Sequence, residues 1–208
     1  MSAPPIVAVV AAGAMGAAVA RRLTSAGCTV LTTLQGRSAA TRKRAREAGM
    51  EDVSLGELAR RAQWVLSILP PSEAEAFAGE FRKTYERESS AHSPGEGLVF
   101  ADCNAVSPET VKRIRAIFSF TETSFVPAIR FIDAGIIGGP PREGYDPTFY
   151  ASAAPDDARA LDAFEGLQKY GLKISALRGE GASIGDASAL KMSYAVGPAL
   201  RPSLRSEL

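Results

Sequence analysis

The chain has 208 residues, which is enough for one large α/β domain with its own core, or for one domain and part of another. Apolar residues make up 46% of the sequence and charged residues 23%, the balance of an ordinary globular protein. Because the formal net charge is only +1, neither nucleic acid nor an anionic membrane is expected as a partner.

The first predicted element is the apolar strand at 6–10, and helical spacing follows from Ala14 to a stop at Gly27. A short run without polar residues is typical of a parallel strand buried on both faces. The apolar stretch is interrupted by glycine, is too short to span a membrane and has no basic leader. We therefore expect a cytoplasmic protein without a membrane segment.

Strand and helix patterns then alternate along the chain. The further predicted strands are 28–34, 64–68, 98–101, 131–133, 148–151 and the edge strand 172–174. The further predicted helices are 38–48, 55–61, one capped by Ser72 that ends near Tyr85, one that begins at Ser107-Pro108-Glu109, and 155–170. This alternation predicts a Rossmann-type, doubly wound and mostly parallel sheet. The basic cluster Arg42-Lys43-Arg44 and Arg46 is expected to form a solvated helix face.

Cysteine and histidine give little sign of chemistry. Cys28 and Cys103 are predicted to be buried free thiols, with a single disulfide as the alternative. His92, the only histidine, lies in a polar, Ser-rich stretch. No cluster of metal ligands is present in the sequence, so no metal site is expected.

The turn after the first strand carries two of the three glycines of a dinucleotide fingerprint. Gly13 would let the backbone approach a diphosphate, and Gly16 would let the helix pack closely on the strand. The helix N-terminus, from Ala14 and Met15 onwards, would supply free amides for the phosphates. Ala11 stands at the first glycine position of the fingerprint, so we expect the turn to keep to dihedrals that an L-residue accepts. The alternative is a tight strand–helix turn without a ligand.

The residues that follow the second strand predict which dinucleotide is bound. An NAD-specific site places Asp or Glu here to bind the ribose 2′-hydroxyl, but this chain has Gln35, Gly36, Arg37 and Ser38. The Arg37 guanidinium can bind a 2′-phosphate in a bidentate way. We therefore predict NADP as the cofactor. The alternative is that Arg37 and Arg42 are only surface charges.

At this point the motifs, in their order, resemble those of the β-hydroxyacid dehydrogenases, which include 3-hydroxyisobutyrate and 6-phosphogluconate dehydrogenases. The motifs are Gly13-x-Met15-Gly16, Leu69-Pro70-Pro71, Asp102-Cys103-Asn104, Gly138-Gly139 and Lys191. The amino-acid sequences of 34–38, 104–108 and 134–141 are most similar to a less characterised branch of this family. The resemblance covers about residues 5–195. It implies an NADP-binding domain at 1–180 and, at 181–208, the start of a truncated C-terminal helical domain.

The resemblance also implies roles for the residues that directly follow the third predicted strand and the strands after it. The segment Leu69-Pro70-Pro71 would line the cofactor, and Asn104 would lie near the nicotinamide. Amides at Gly138 and Gly139 would face the acid group of a small hydroxy acid. Ile137 stands where relatives usually have Ser, which weakens the case for the usual acid substrates. A rigid strand exit and a plain Gly/Pro turn are the simpler interpretations.

Lys191 would, by the same resemblance, exchange a proton with the substrate hydroxyl while hydride moves to or from the nicotinamide. Ala195 replaces the Asn that relatives have one turn later, and Pro198 and Pro202 should end the helix. A lysine titrates near ~10.4 in water, whereas a useful base needs ~7–8. Without a covering domain we expect Lys191 to lie in water. The chain would then bind NADP but turn over substrate poorly.

Three functions are therefore open from sequence. The first is an NADP-dependent hydroxyacid oxidoreductase or its cofactor-binding part, dimeric if a C-terminal domain is present. The second is a non-catalytic NADP-binding module that acts as a sensor or partner subunit, which Ala195 favours. The third is a methyltransferase that uses S-adenosylmethionine, against which Arg37 and Ser38 argue.

Overall fold

The computed structural model describes residues 3–88, 97–119 and 128–196. Its strands are β1 (Ile6–Val10), β2 (Thr29–Thr32), β3 (Glu51–Asp52), β4 (Trp64–Ser67), β5 (Val99–Asp102), β6 (Arg130–Ile137), β7 (Thr148–Ser152) and β8 (Lys173–Ala176). Its helices are α1 (Ala14–Ser25), α2 (Ala39–Glu47), α3 (Leu55–Arg61), α4 (Pro71–Arg87), α5 (Pro108–Ile117), α6 (Ala158–Glu165) and α7 (Asp186–Val196). Short 3₁₀ turns, Pro155–Asp157 and Gly166–Tyr170, flank α6.

All eight strands form one sheet in the order β3-β2-β1-β4-β5-β6-β7-β8. Strands β1 to β6 run parallel, β7 is antiparallel to β6, and β8 is parallel to β7. The predicted Rossmann-type, mostly parallel sheet is therefore confirmed. Because β1, β2, β4, β5 and β6 share one direction, the segments that follow them all leave from one edge of the sheet. We call this the carboxyl edge.

A hydrophobic core covers each face of the sheet, which is why the central strand β1 consists of apolar residues only. Val7 and Val9 of β1 belong to one cluster, with residues of α1, α2 and α6. Ala8 and Val10, which point the other way, belong to a second cluster with residues of α3, α4 and α5. Helices therefore cover both faces, as in doubly wound sheets.

Several sequence-based boundaries were wrong. The helix α4 begins at Pro71 with Pro70 as its cap, because proline is preformed for the first helical position, and Ser72 lies inside the first turn. The strand β6 runs to Ile137, four residues beyond its predicted end. The predicted helix 155–170 is divided by its 3₁₀ turns. The short edge strand β3 was missed.

Both cysteines are buried and free, so the disulfide alternative is wrong. His92, Pro198 and Pro202 lie outside the described residues. In the part of the chain that the structure describes, no helix is both long and apolar enough to cross a membrane. The same residues contain no group of three His, Cys, Asp or Glu side chains that could hold a metal ion.

Candidate functional site at the carboxyl edge

The glycine turn, residues 11–16, leads from β1 into α1. Gly13 is the N-cap of α1 and gives the first amides no side-chain partner. A Cβ built on Gly13 would meet nothing within 4 Å, whereas one on Gly16 would lie 2.1 Å from the carbonyl oxygen of Ala11. Gly16 therefore serves the fold, while Gly13 leaves open space in front of a helix N-terminus. Free amides and the helix dipole suit that space to an anion.

Ala11 departs from the expected conformation. Its φ is +69°, and it is the one non-glycine residue with a positive φ in the described part of the chain. The turn therefore keeps the left-handed geometry that glycine normally supplies, rather than adapting to alanine. The close contact of Gly16 with the Ala11 carbonyl explains this, because the carbonyl must stay where α1 packs against it.

Replacing Ala11 with glycine should stabilise the fold. The left-handed conformation costs an L-residue about 1–2 kcal/mol, and the extra freedom of glycine in the unfolded chain offsets about 0.5–1 kcal/mol of that. We expect Ala11→Gly to raise the free energy of unfolding by about 0.5–1 kcal/mol in urea titrations. Ala39→Gly, at the start of α2, is the matched control and should lower it. An unchanged or lower stability of Ala11→Gly would contradict the strain at this residue.

The segment after β2 places one guanidinium at the surface of the carboxyl edge. Gln35 and Gly36 are exposed, and Gly36 has a φ of +71°. The Ser38 hydroxyl caps α2 by accepting from the Thr41 amide at 3.3 Å. Nη2 of Arg37 lies 3.6 Å from a carboxylate oxygen of Glu73 in the first turn of α4. Arg37 is thus held between the ends of β2 and β4, and its cation is partly open to solvent.

The basic cluster of α2 is a solvated face only in part, because Lys43 and Arg46 are exposed while Arg42 and Arg44 are half-buried. Nε of Arg42 donates to the carbonyl oxygen of Arg37 at 3.2 Å. Nε of Arg44 donates to the carbonyl oxygen of Ala12 at 2.9 Å, inside the glycine turn. Each guanidinium thus supplies a donor to a backbone carbonyl of a loop at the carboxyl edge. Lys43, which pairs with Glu47, is exposed as expected.

Asn104, after β5, is buried and joins the ends of β4 and β5 through hydrogen bonds. Its Oδ1 accepts from the Leu69 amide at 2.5 Å, and its Nδ2 donates to Ser67 Oγ at 3.0 Å and to Asp102 Oδ1 at 2.6 Å. Leu69 is buried, whereas Pro70 is exposed. The amide of Asn104 is therefore occupied by protein groups and fixes the loop after β4.

Asp102 belongs to the Asp102-Cys103-Asn104 motif, but nothing in the sequence indicates that it is a site residue. Burial raises the pKa of its carboxyl to about 6, against hydrogen bonds from Asn104 that lower it. Oδ2 of Asp102 has no hydrogen-bond partner among the described residues. A carboxyl buried beside so few donors favours its neutral form.

Asp102 should make stability depend on pH. Because its pKa is higher in the folded state, the native protein binds more protons than the unfolded chain between about pH 4 and 6. Its contribution is thus retained below about pH 4 and lost as the pH rises towards 6, by about 3 kcal/mol for two pKa units. We expect the stability of Asp102→Asn, relative to wild type, to increase across this window and then level off in urea titrations. A pH-independent difference for Asp102→Asn would disprove the assignment.

Lys191 lies on α7 and is partly buried, contrary to the expectation that water surrounds it. Its Nζ donates to the Ile136 carbonyl oxygen of β6 at 2.7 Å. Burial lowers its pKa, and Cys103 and Asp102 oppose the change. Gly135 permits this approach, because a Cβ there would lie 2.9 Å from the Ala187 carbonyl oxygen. Packing of α7 on β6 thus desolvates Lys191 within the chain itself.

The glycine pair after β6 is organised by a tyrosine that sequence reasoning missed. The Gly139 amide donates to the Tyr145 hydroxyl at 3.1 Å, and a Cβ on Gly138 would lie 2.3 Å from that hydroxyl. The Arg142 guanidinium lies 5.1 Å from the centre of the Tyr145 ring. The Gly139 amide is therefore bonded within the protein. This differs from the expectation for an acid-binding loop, whose amides would face the substrate.

The structure thus brings most of the predicted residues to one edge of the sheet. The segments that follow β1, β2, β4, β5 and β6 contain, respectively, Gly13 to Gly16, Gln35 to Ser38, Leu69 to Pro71, Asn104, and Gly138 with Gly139. Direct contacts join the glycine turn to α2 through Arg44, and the β4 exit to Asn104. The Gly139 amide bonds to Tyr145, and a Cβ on Gly138 would lie 3.1 Å from Pro147.

Comparison with family models decides the family. Residues 4–112, just over half of the chain, match the NADPH-binding domain of acetohydroxy acid isomeroreductase. The chain belongs to this NADPH-binding domain family. This domain extends from before β1 to α5 and so includes the glycine turn, Arg37 and Asn104. No match was found among curated proteins.

Solved structures extend the similarity over nearly the whole chain. A conserved protein of unknown function, reported as structurally similar to 3-hydroxyacid dehydrogenases, is 31% identical with a TM-score of 0.72, and the match covers 93% of this chain and 66% of that one. The Mycobacterium tuberculosis 3-hydroxyisobutyrate dehydrogenase with L-serine is 22% identical with a TM-score of 0.66, and the match covers 94% of this chain and 60% of that one. An Aspergillus terreus reductive aminase is 16% identical with a TM-score of 0.62, and the match covers 94% of this chain and 61% of that one.

These comparisons confirm the predicted resemblance to the β-hydroxyacid dehydrogenases. The two structures below 25% identity support the fold alone. This chain spans 60 to 66% of the length of the three solved proteins. It is a nicotinamide-dinucleotide-binding domain of the dehydrogenase and reductase type.

Proposed function

We propose that the chain binds NADP and takes part in hydride transfer between that cofactor and a small hydroxy acid. The observation that carries the proposal is the uncapped N-terminus of α1 behind the open space at Gly13. The family of NADPH-binding domains supports the choice of cofactor. The substrate class is supported by the 3-hydroxyisobutyrate dehydrogenase and its L-serine.

The residues present fit a dinucleotide phosphate. The first amides of α1, at Ala14, Met15 and Gly16, would hold the diphosphate, because a helix leaves these donors free. Arg37, with Gln35, Gly36 and Ser38, would hold the 2′-phosphate. Nη2 of Arg37 already lies 3.6 Å from a carboxylate oxygen of Glu73, so its guanidinium is placed where it can bind an anionic oxygen. Leu69, Pro70 and Pro71 would line the cofactor, with Asn104 holding the Leu69 backbone near the nicotinamide.

Lys191 would carry the proton. When bound, the nicotinamide supplies or accepts a hydride at the substrate carbon. The Lys191 ammonium would donate a proton to the substrate oxygen during reduction, and its amine would accept one during oxidation. Burial lowers its pKa towards the range in which both directions are accessible. The Gly138–Gly139 segment would approach the acid group once the substrate replaced the Tyr145 hydroxyl at the Gly139 amide.

Titration of the purified protein with NADPH and with NADH tests the proposal. A charge-assisted hydrogen bond contributes about 1.5–3 kcal/mol, so Arg37→Ala should weaken NADPH binding by roughly 10- to 100-fold and leave NADH binding almost unchanged. Arg46→Ala, on the exposed side of α2, is the matched control and should bind like wild type. Equal affinity of wild type for the two cofactors would refute the phosphate site.

A second candidate is a non-catalytic NADP-binding module that acts as a sensor or partner subunit. The occupied Gly139 amide favours it, as does Ile137 in place of a hydroxyl side chain. Assay of NADPH oxidation with short oxo acids would separate the two functions. Turnover that is lost in Lys191→Ala supports the enzyme, whereas NADPH binding without any turnover supports the module.

A further inference from the structure

Asp133 is a buried carboxylate in β6 that is surrounded by hydrogen-bond donors. It is 1% exposed. Its Oδ2 accepts from Ser152 Oγ at 3.1 Å, from the Gly185 amide at 3.1 Å and from the Ser188 amide at 3.0 Å. Its Oδ1 accepts from Ser188 Oγ at 2.8 Å. Within the described residues no lysine or arginine forms an ion pair with it, so these bonds alone compensate its burial.

Three of these four bonds come from the start of α7. The amides of Gly185 and Ser188 are among those that a helix leaves without an internal partner. A carboxylate at this end is also favoured by the helix dipole. Asp133 therefore caps α7 from a neighbouring strand. A cap within α7 would leave the helix free to slide, whereas a cap on β6 fixes the helix against the sheet.

The same two elements meet again at Lys191. Ser188 and Lys191 are three residues apart on α7 and so lie on one helix face. Their acceptors on β6, Asp133 and the Ile136 carbonyl, are also three residues apart. Gly135 lies between these two acceptors on β6, and a Cβ there would be 3.2 Å from the Lys191 Cβ. The position of the Lys191 ammonium thus depends on the hydrogen bonds between Ser188 and Asp133.

We infer that Asp133 and Ser188 are positioning residues that hold Lys191 against β6. The inference rests on the proposed function only in taking Lys191 as the proton carrier. Asp102 at the end of β5 and Cys103 directly after it also act on Lys191. A further cation, Lys112 of α5, lies beside Gly185.

The test measures Lys191 itself rather than activity. Competitive acetylation across pH, followed by peptide mass spectrometry, gives the pKa and the reactivity of this amine. Ser188→Ala should raise the pKa of Lys191 towards the ordinary value near ~10.4, because a loosened α7 admits water. Ser188→Thr keeps the hydroxyl and should restore the wild-type value. Ser193→Ala, also on α7 but exposed, is the control and should change nothing.

The outcomes distinguish positioning from mere stability. If Ser188→Ala lowers the free energy of unfolding but leaves the Lys191 pKa at its wild-type value, the inference is overturned. Asp133→Asn should change the Lys191 pKa in the same direction, and a folded variant with an unchanged pKa would also overturn it. If Lys191 responds as expected while wild type neither binds NADPH nor turns over substrate, the positioning role stands and the proposed function fails.

Discussion

Gly13→Ala is expected to weaken NADPH binding while the domain keeps its stability. Gly13 has a φ of −67° and a ψ of −175°, which alanine adopts without strain, and its Cβ would meet no protein atom within 4 Å. The added methyl would instead occupy the space proposed for the diphosphate. Steric intrusion of one methyl into a tight contact costs about 1–3 kcal/mol, so binding should weaken roughly 10- to 100-fold.

Calorimetry with NADPH and urea unfolding of the same samples check this expectation. Gly79→Ala, in α4, is the matched control, because a Cβ there also meets nothing within 4 Å but lies on a helix. It should bind NADPH like wild type. Wild-type affinity in Gly13→Ala would show that the diphosphate does not approach this residue.

Gly16→Ala should have the opposite profile, with the fold damaged first. A Cβ at Gly16 would lie 2.1 Å from the Ala11 carbonyl oxygen, a backbone atom that cannot rotate away. Either α1 must move off β1, or the turn at Ala11 must change. Forced overpacking usually costs 1–3 kcal/mol, and a clash with backbone should cost about 3 kcal/mol or more.

Urea unfolding of Gly16→Ala, with Gly13→Ala measured beside it, tests this difference. Combining Gly16→Ala with Ala11→Gly should recover part of the loss, because glycine at 11 gives the turn more freedom to adjust. A Gly16→Ala protein as stable as wild type would mean that α1 and the glycine turn are not packed as described.

The architecture and the location of the site could be predicted because they depend on local patterns. The apolar run of β1 indicates a strand buried on both faces, and the caps at Ser38 and Ser107 mark where helices begin. Parallel strands in turn bring their exits to one edge, so Gly13 and Arg37 could be assigned to the same site.

Contacts between distant segments could not be predicted in this way. Arg44 looked like one more exposed cation, because nothing local indicates that its guanidinium reaches Ala12, 32 residues earlier. The bond of Ser188 to Asp133 spans 55 residues, and that of Gly139 to Tyr145 depends on the path of a loop. The burial of Lys191 likewise follows from the packing of α7 on β6.

The close contact of α7 with β6 at Gly135 also determines which parts of the protein can move independently. Backbone meets backbone there, with no long side chain between them to act as a flexible spacer. The ammonium of Lys191 and the exits of β1 to β6 therefore share one rigid frame. Under the proposed function, a substrate that enters from solvent would have to align with both together, so the timing of proton and hydride transfer would be determined by how that substrate docks and not by any rearrangement of the lysine.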